Sequence, residues 1–102
     1  MLNSLISISK AKLLLKEVTI AHLLEQDGQG RIRIIYPALK HDKTLVEEAS
    51  LELKAINAIK TFSINEITGS VLINYQTQAI EKGSFLEALL NEAKKTYYKG
   101  GE

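Results

Sequence analysis

Residues 60–75 read KTFSINEITGSVLINY, and the alternation in this stretch decides the fold. Phe62 and Ile64 alternate with Thr61 and Ser63, and Val71, Ile73 and Tyr75 alternate with Ser70, Leu72 and Asn74. A period of two places successive side chains on opposite faces of a strand. Glu66-Ile67-Thr68-Gly69 separates the two runs, with a glycine available for the positive φ of a turn. The stretch predicts a hairpin that buries Phe62, Ile64, Val71, Ile73 and Tyr75.

An amphipathic helix is expected on each side of this hairpin. Thr44-Leu45-Val46-Glu47 and Ser84-Phe85-Leu86-Glu87 both have the form of a capping box, a hydroxyl that accepts from an amide three residues on and a glutamate that reaches back. Leu45, Ala49, Leu53 and Ile56 recur at helical spacing after the first box. Phe85, Leu86, Leu89, Leu90, Ala93 and Tyr97 do so after the second. Lys94, Lys95 and Lys99 suit a helix C-terminus, and Gly100-Gly101 can stop the helix.

Before the first helix, Arg31-Ile32-Arg33-Ile34-Ile35-Tyr36 alternates again, with Ile32, Ile34 and Tyr36 toward the core and Arg31, Arg33 and Ile35 away from it. Pro37 ends that strand. The clear order is thus strand, helix, strand, strand, helix. The fold class this order suggests is α+β, with a ferredoxin-like sheet. A fourth strand is expected from the N-terminal side. Val18-Thr19-Ile20-Ala21-His22-Leu23-Leu24 is β-rich at its start, and Gln26-Asp27-Gly28-Gln29-Gly30 after it can form a hairpin loop to the Arg31–Tyr36 strand. The rival is a helix from Lys10 to about Gln26, on which Ala11, Leu14, Leu15, Val18 and Ala21 share a face. That helix would leave a three-stranded sheet with an exposed edge. The expected domain covers residues 17–99, between an N-terminal amphipathic segment or tail (1–16) and a short tail (100–102).

A chain of 102 residues fits one domain. With 45% hydrophobic and 25% charged residues it is expected to be globular and not disordered. A net charge of +1 supplies no overall field toward nucleic acid or anionic lipid. The chain has no cysteine, which excludes disulfides, zinc–thiolate sites, iron–sulfur clusters and thiol redox chemistry. Met1 to Ile8 is apolar, but no basic residues precede it, and Lys10, Lys12 and Lys16 break any longer apolar run. It fits neither a signal peptide nor a span of about 20 apolar residues, so the default location is cytoplasmic. Residues 2–15 could form an amphipathic helix that meets a partner or a membrane surface, or one that packs on its own domain.

Several strings look like the heavy-metal-associated family, in its cysteine-free branch: Ile20-Ala21-His22, Gly30-Arg31-Ile32-Arg33-Ile34, and Ile64-Asn65-Glu66-Ile67-Thr68-Gly69-Ser70-Val71-Leu72-Ile73-Asn74-Tyr75. That branch often shows a Gly-Arg-hydrophobic-Arg strand and a Thr-Gly-Ser hairpin before a strand ending in an aromatic. The resemblance covers about Thr19 to Leu90. It implies a ferredoxin-like open-faced sandwich with two helices on one face of an antiparallel sheet, and a metal-handling domain, or an accessory domain of a metal-transporting P-type ATPase or a metal-storage assembly. In cysteine-bearing relatives the Cys-x-x-Cys would sit in the loop that here reads Pro37-Ala38-Leu39-Lys40-His41-Asp42-Lys43. Capture of Cu(I) by a dithiolate is therefore ruled out.

Three candidate sites remain. His41 and Asp42 lie in that loop and form a fair ligand pair for a divalent ion; alternatively His41 is an exposed loop histidine beside a helix start. His22 is a candidate metal or axial haem ligand, or a strand histidine with an ordinary partner. Arg31, Arg33, Ile35 and Leu72 would stand on the uncovered face of the sheet. They could dock an acidic partner or a propionate- or phosphate-bearing ligand, because arginine binds carboxylates bidentately, or form a solvated sheet face. Catalysis finds no footing: no nucleophile elbow or glycine-rich phosphate loop is present, and the open face lacks the aromatics of an RNA-recognition sheet. The reading is a non-enzymatic accessory or interaction module in metal homeostasis, with direct iron, divalent-metal or haem binding and a self-associating subunit as alternatives.

Overall fold

The structure, a computed structural model, describes residues 17–100, with side chains as far as Lys95. The expectations for residues 1–16, for the side chains of Tyr97 and Lys99 and for the tail from Gly101 lie outside the described residues. The element order is β1 (Thr19–Gln26), β2 (Gln29–Ile35), α1 (Lys43–Lys54), β3 (Ile59–Asn65), β4 (Ser70–Gln76) and α2 (Phe85–Gly100). The sheet is antiparallel throughout, in the order β1-β2-β4-β3. With two helices on one side, this is the expected α+β ferredoxin-like sandwich. Among the described residues no helix is long and apolar enough to cross a membrane.

The fourth strand does come from the front of the chain, so Thr19–Gln26 is strand and not helix. Asp27 and Gly28 form a two-residue turn with φ of 57° and 80°. Two positive φ values match the right-handed twist of a hairpin, and Asp-Gly tolerates them. That turn sets Glu25 opposite Gly30 and Leu23 opposite Ile32.

The even-numbered residues of β2 and the odd-numbered residues of β4 face the helices. Ile32, Ile34, Val71, Ile73 and Tyr75 are buried there with Leu53 of α1 and Leu86, Leu89, Leu90 and Ala93 of α2. Phe62, Ile64 and Tyr36 pack half-buried against this core, Tyr36 just beyond the end of β2. Helix α1 packs on β3 and α2 on β1, so both edge strands are covered on that side.

The helix starts differ in how far they follow the expected boxes. At α2, the Glu87 amide donates to Ser84 Oγ at 3.1 Å, and Glu87 Oε1 accepts from the Gly83 amide at 2.7 Å, one residue before the cap. At α1 the cap is Asp42, not Thr44: its Oδ1 accepts from the Leu45 amide at 3.0 Å, and its carbonyl accepts from the Val46 amide at 3.0 Å. The reason is tertiary. The His41 amide donates to the Glu66 carbonyl at 3.0 Å, which fixes the chain one residue before Asp42 and starts the helix two residues ahead of the box. An aspartate at that point is at least as good a cap as threonine and adds a charge that suits the helix dipole.

Candidate docking face

The strand register fixes what stands on the side of the sheet that the helices leave open. Residues opposed across an antiparallel ladder share a face. One row reads Leu24, Arg31, Asn74, Thr61; the next His22, Arg33, Leu72, Ser63; the third Thr19, Ile35, Ser70, Asn65. Arg31, Arg33, Ile35 and Leu72 thus come together as the alternation indicated, and His22 joins them opposite Arg33.

The two arginines are held differently. Arg31 Nε donates to Asn74 Oδ1 at 3.1 Å, and Asn74 Nδ2 donates to Thr61 Oγ1 at 2.9 Å. This chain of side chains braces Arg31 across three strands. The Arg33 guanidinium has no hydrogen-bond or salt-bridge partner among the described residues. It borders a shallow depression of about 430 Å³ whose lining includes Ser63, Asn65, Glu66, Ile67 and Leu72.

The rim of that depression is a rigid turn. Asn65 Oδ1 accepts from the Ile67 amide at 2.9 Å and the Thr68 amide at 3.2 Å, and the Gly69 amide donates to the Asn65 carbonyl at 2.7 Å. Gly69 has φ of 78°, and a Cβ there would lie 2.7 Å from the Tyr36 carbonyl oxygen. The turn holds Ile67 69% exposed, and Leu24 on the far side of the face is 52% exposed. Sequence reasoning passes over both residues, although each carries a signal. Ile67 is apolar within a turn, and Leu24 falls opposite Arg31 once Asp27-Gly28 is taken as a two-residue turn.

The loop between β2 and α1 has a different character. Pro37–Leu39 forms one 3-10 turn, and Leu39, 1% exposed, anchors it in the core. His41 takes a left-handed φ of 56° and is exposed. Asp42 is committed to the helix cap. His22 lies on edge strand β1, opposite Arg33. Among the described residues no group of three or more His, Asp or Glu could hold a metal ion. The Tyr36 phenol beside the loop is pushed above its usual range, first by burial and then by the Glu17 carboxylate.

In comparison with known protein families, residues 13–94 match Heavy metal associated domain 2. No curated protein and no solved structure gives a match. The matched span takes in all four strands, the whole of α1 and the larger part of α2. The chain belongs to the heavy metal associated domain 2 family.

Proposed function

We propose that this domain is a non-enzymatic accessory module in metal homeostasis that acts through protein contacts made by the open sheet face. The observation that carries the reading is the arrangement around Arg33. A guanidinium without a partner among the described residues stands in register with Leu72, beside a braced Arg31 and a turn that holds Ile67 outward. The braced Arg31 loses little freedom on binding, which favours it as an anchor beside the unpartnered Arg33. Family membership supplies the metal context, and the absence of any cysteine directs the role away from thiolate transfer. Both edge strands carry a register shift, at Ile20/His22 and at Ile59/Thr61. Such bulges disfavour pairing by the edges, so the face is the better contact surface.

The partner in this reading is a metal-transporting P-type ATPase or a subunit of a metal-storage assembly. The test uses the wild-type chain and Arg31→Glu/Arg33→Glu as baits in the native cell, with bound proteins quantified by mass spectrometry. A transporter or storage subunit enriched by the wild type and lost with the double variant supports the reading. Unchanged capture by a folded double variant overturns it.

A further inference from the structure

The open face carries a charge bias that the whole chain conceals. The formal net charge is only +1. Yet none of the residues that the register places on the open face is aspartate or glutamate, while Arg31 and Arg33 both stand there. Glu66 lies in the turn at the rim, outside the sheet rows. The strand carboxylate nearest to this set, Glu25, pairs opposite Gly30 on the helix side, where it bonds Tyr75 and Lys94. In contrast, α1 shows exposed Glu47 and Glu48 to solvent.

Resting on the docking reading above, we infer that the segment this face receives is acidic and partly apolar, with carboxylates that engage Arg33 and Arg31 and aliphatic or aromatic side chains that meet Leu72, Ile35 and Ile67. Residues two apart on one strand stand about 7 Å from each other, so Arg31 and Arg33 can each take a carboxylate from one short segment. Arg33 is the free donor, and bidentate pairing with a carboxylate is the geometry a guanidinium favours. Arg31 is pre-oriented, because Asn74 holds its Nε and leaves the terminal nitrogens for an incoming group. The face offers two arginines, below the roughly four to eight basic residues of a typical anionic-lipid site. Its rows hold no Phe, Tyr or Trp on which successive bases could stack, and His22 is a single ring at the edge strand. An acidic protein segment is the occupant that uses both its charge and its apolar residues.

Random peptides displayed on phage provide the test, selected in parallel against the wild-type domain and Arg33→Glu, each shown to be folded by circular dichroism. Wild-type binders should be several-fold enriched in Asp and Glu beside Leu, Ile or Phe. A synthetic binder should lose roughly tenfold in affinity or more against Arg33→Glu, and should weaken as salt is raised. Neutral or basic binders, or an empty selection, overturn the inference. If neutral binders are still lost with Leu72→Asp, the face docks proteins but not acidic ones, and the reading beneath survives. If binders ignore both Arg33→Glu and Leu72→Asp, inference and docking reading fall together. Self-association of the wild type in sedimentation, abolished by Arg33→Glu and by Glu47→Lys alike, would make a second copy the occupant and overturn the inference in that way.

Discussion

The Tyr75 hydroxyl, on a ring that is fully buried, donates to Glu25 Oε2 at 2.8 Å. Glu25 Oε1 in turn lies 3.5 Å from Lys94 Nζ. The three residues come from β4, β1 and α2, so this contact fastens the strand that completes the sheet to the helix above it. Gly30, between them in the register, makes room: a Cβ there would lie 2.2 Å from Tyr75 Cζ. Tyr75→Phe should cost about 1.5–3 kcal/mol, the usual worth of a hydrogen bond to a charged group. Gly30→Ala should also destabilise, by about 1–3 kcal/mol, because the ring has to move. Thermal unfolding followed by circular dichroism checks both: no loss at Gly30→Ala would mean that the ring does not rest on Gly30, and no loss at Tyr75→Phe that the hydroxyl bond does not fasten the strand.

At the start of α1, Asp42→Ala should destabilise by about 1 kcal/mol, the typical worth of an N-cap, and Thr44→Ala should change little. Urea unfolding of the two variants decides it. A larger loss at Thr44 would restore the cap to the residue that the sequence box suggests.

The difference between these two residues shows why the rest of the fold is easier to read. Alternation in Val71–Tyr75 and Ile32–Ile34 survives intact because those strands are central and regular. In β1 the bulge between Ile20 and His22 puts Ile20 and Leu23, three residues apart, on the same core-facing side. Spacing of three also suits a helix, so this pair does not separate the strand from the rival helix whose face runs through Ala11, Leu14, Leu15, Val18 and Ala21. The same effect sets Ile59 and Phe62 three apart in β3. The cap at Asp42 rests on a hydrogen bond from His41 to Glu66, a contact across the fold that no local pattern contains. The arginine face is legible from period two alone, whereas the bracing of Arg31 by Asn74 needs the register of β2 against β4.

Alkaline pH should weaken the fold through Tyr36. Its folded pKa is raised, chiefly by burial and secondarily by Glu17. The folded state therefore holds the phenolic proton more tightly than the unfolded chain. Stability is unaffected below the ordinary tyrosine pKa and is lost as pH rises through the raised folded value. Tyr36→Phe should flatten that loss, and Glu17→Gln should lower the shift by the smaller share. Ultraviolet titration of tyrosinate, wild type minus Tyr36→Phe, measures the shift; a value at or below the ordinary one contradicts it.

Titration with Fe(II), Zn(II), Co(II) or haem should give no stoichiometric tight binding, because His22 and the His41–Asp42 pair sit on separate elements and the Asp42 carboxylate already caps a helix. Calorimetry with parallel absorbance checks this on untagged protein. Tight binding removed by His22→Ala or His41→Ala would make the domain a ligand carrier and demote docking.

Chemical-shift mapping tests the role of the open sheet face most directly. The isotope-labelled domain is titrated with the partner that the wild type captures. Docking through this face predicts that the largest shifts fall on Arg31, Arg33, Ile35 and Leu72, with Ile67 at the rim. Shifts centred instead on the outer side of α1, around the 65%-exposed Leu51, would contradict it.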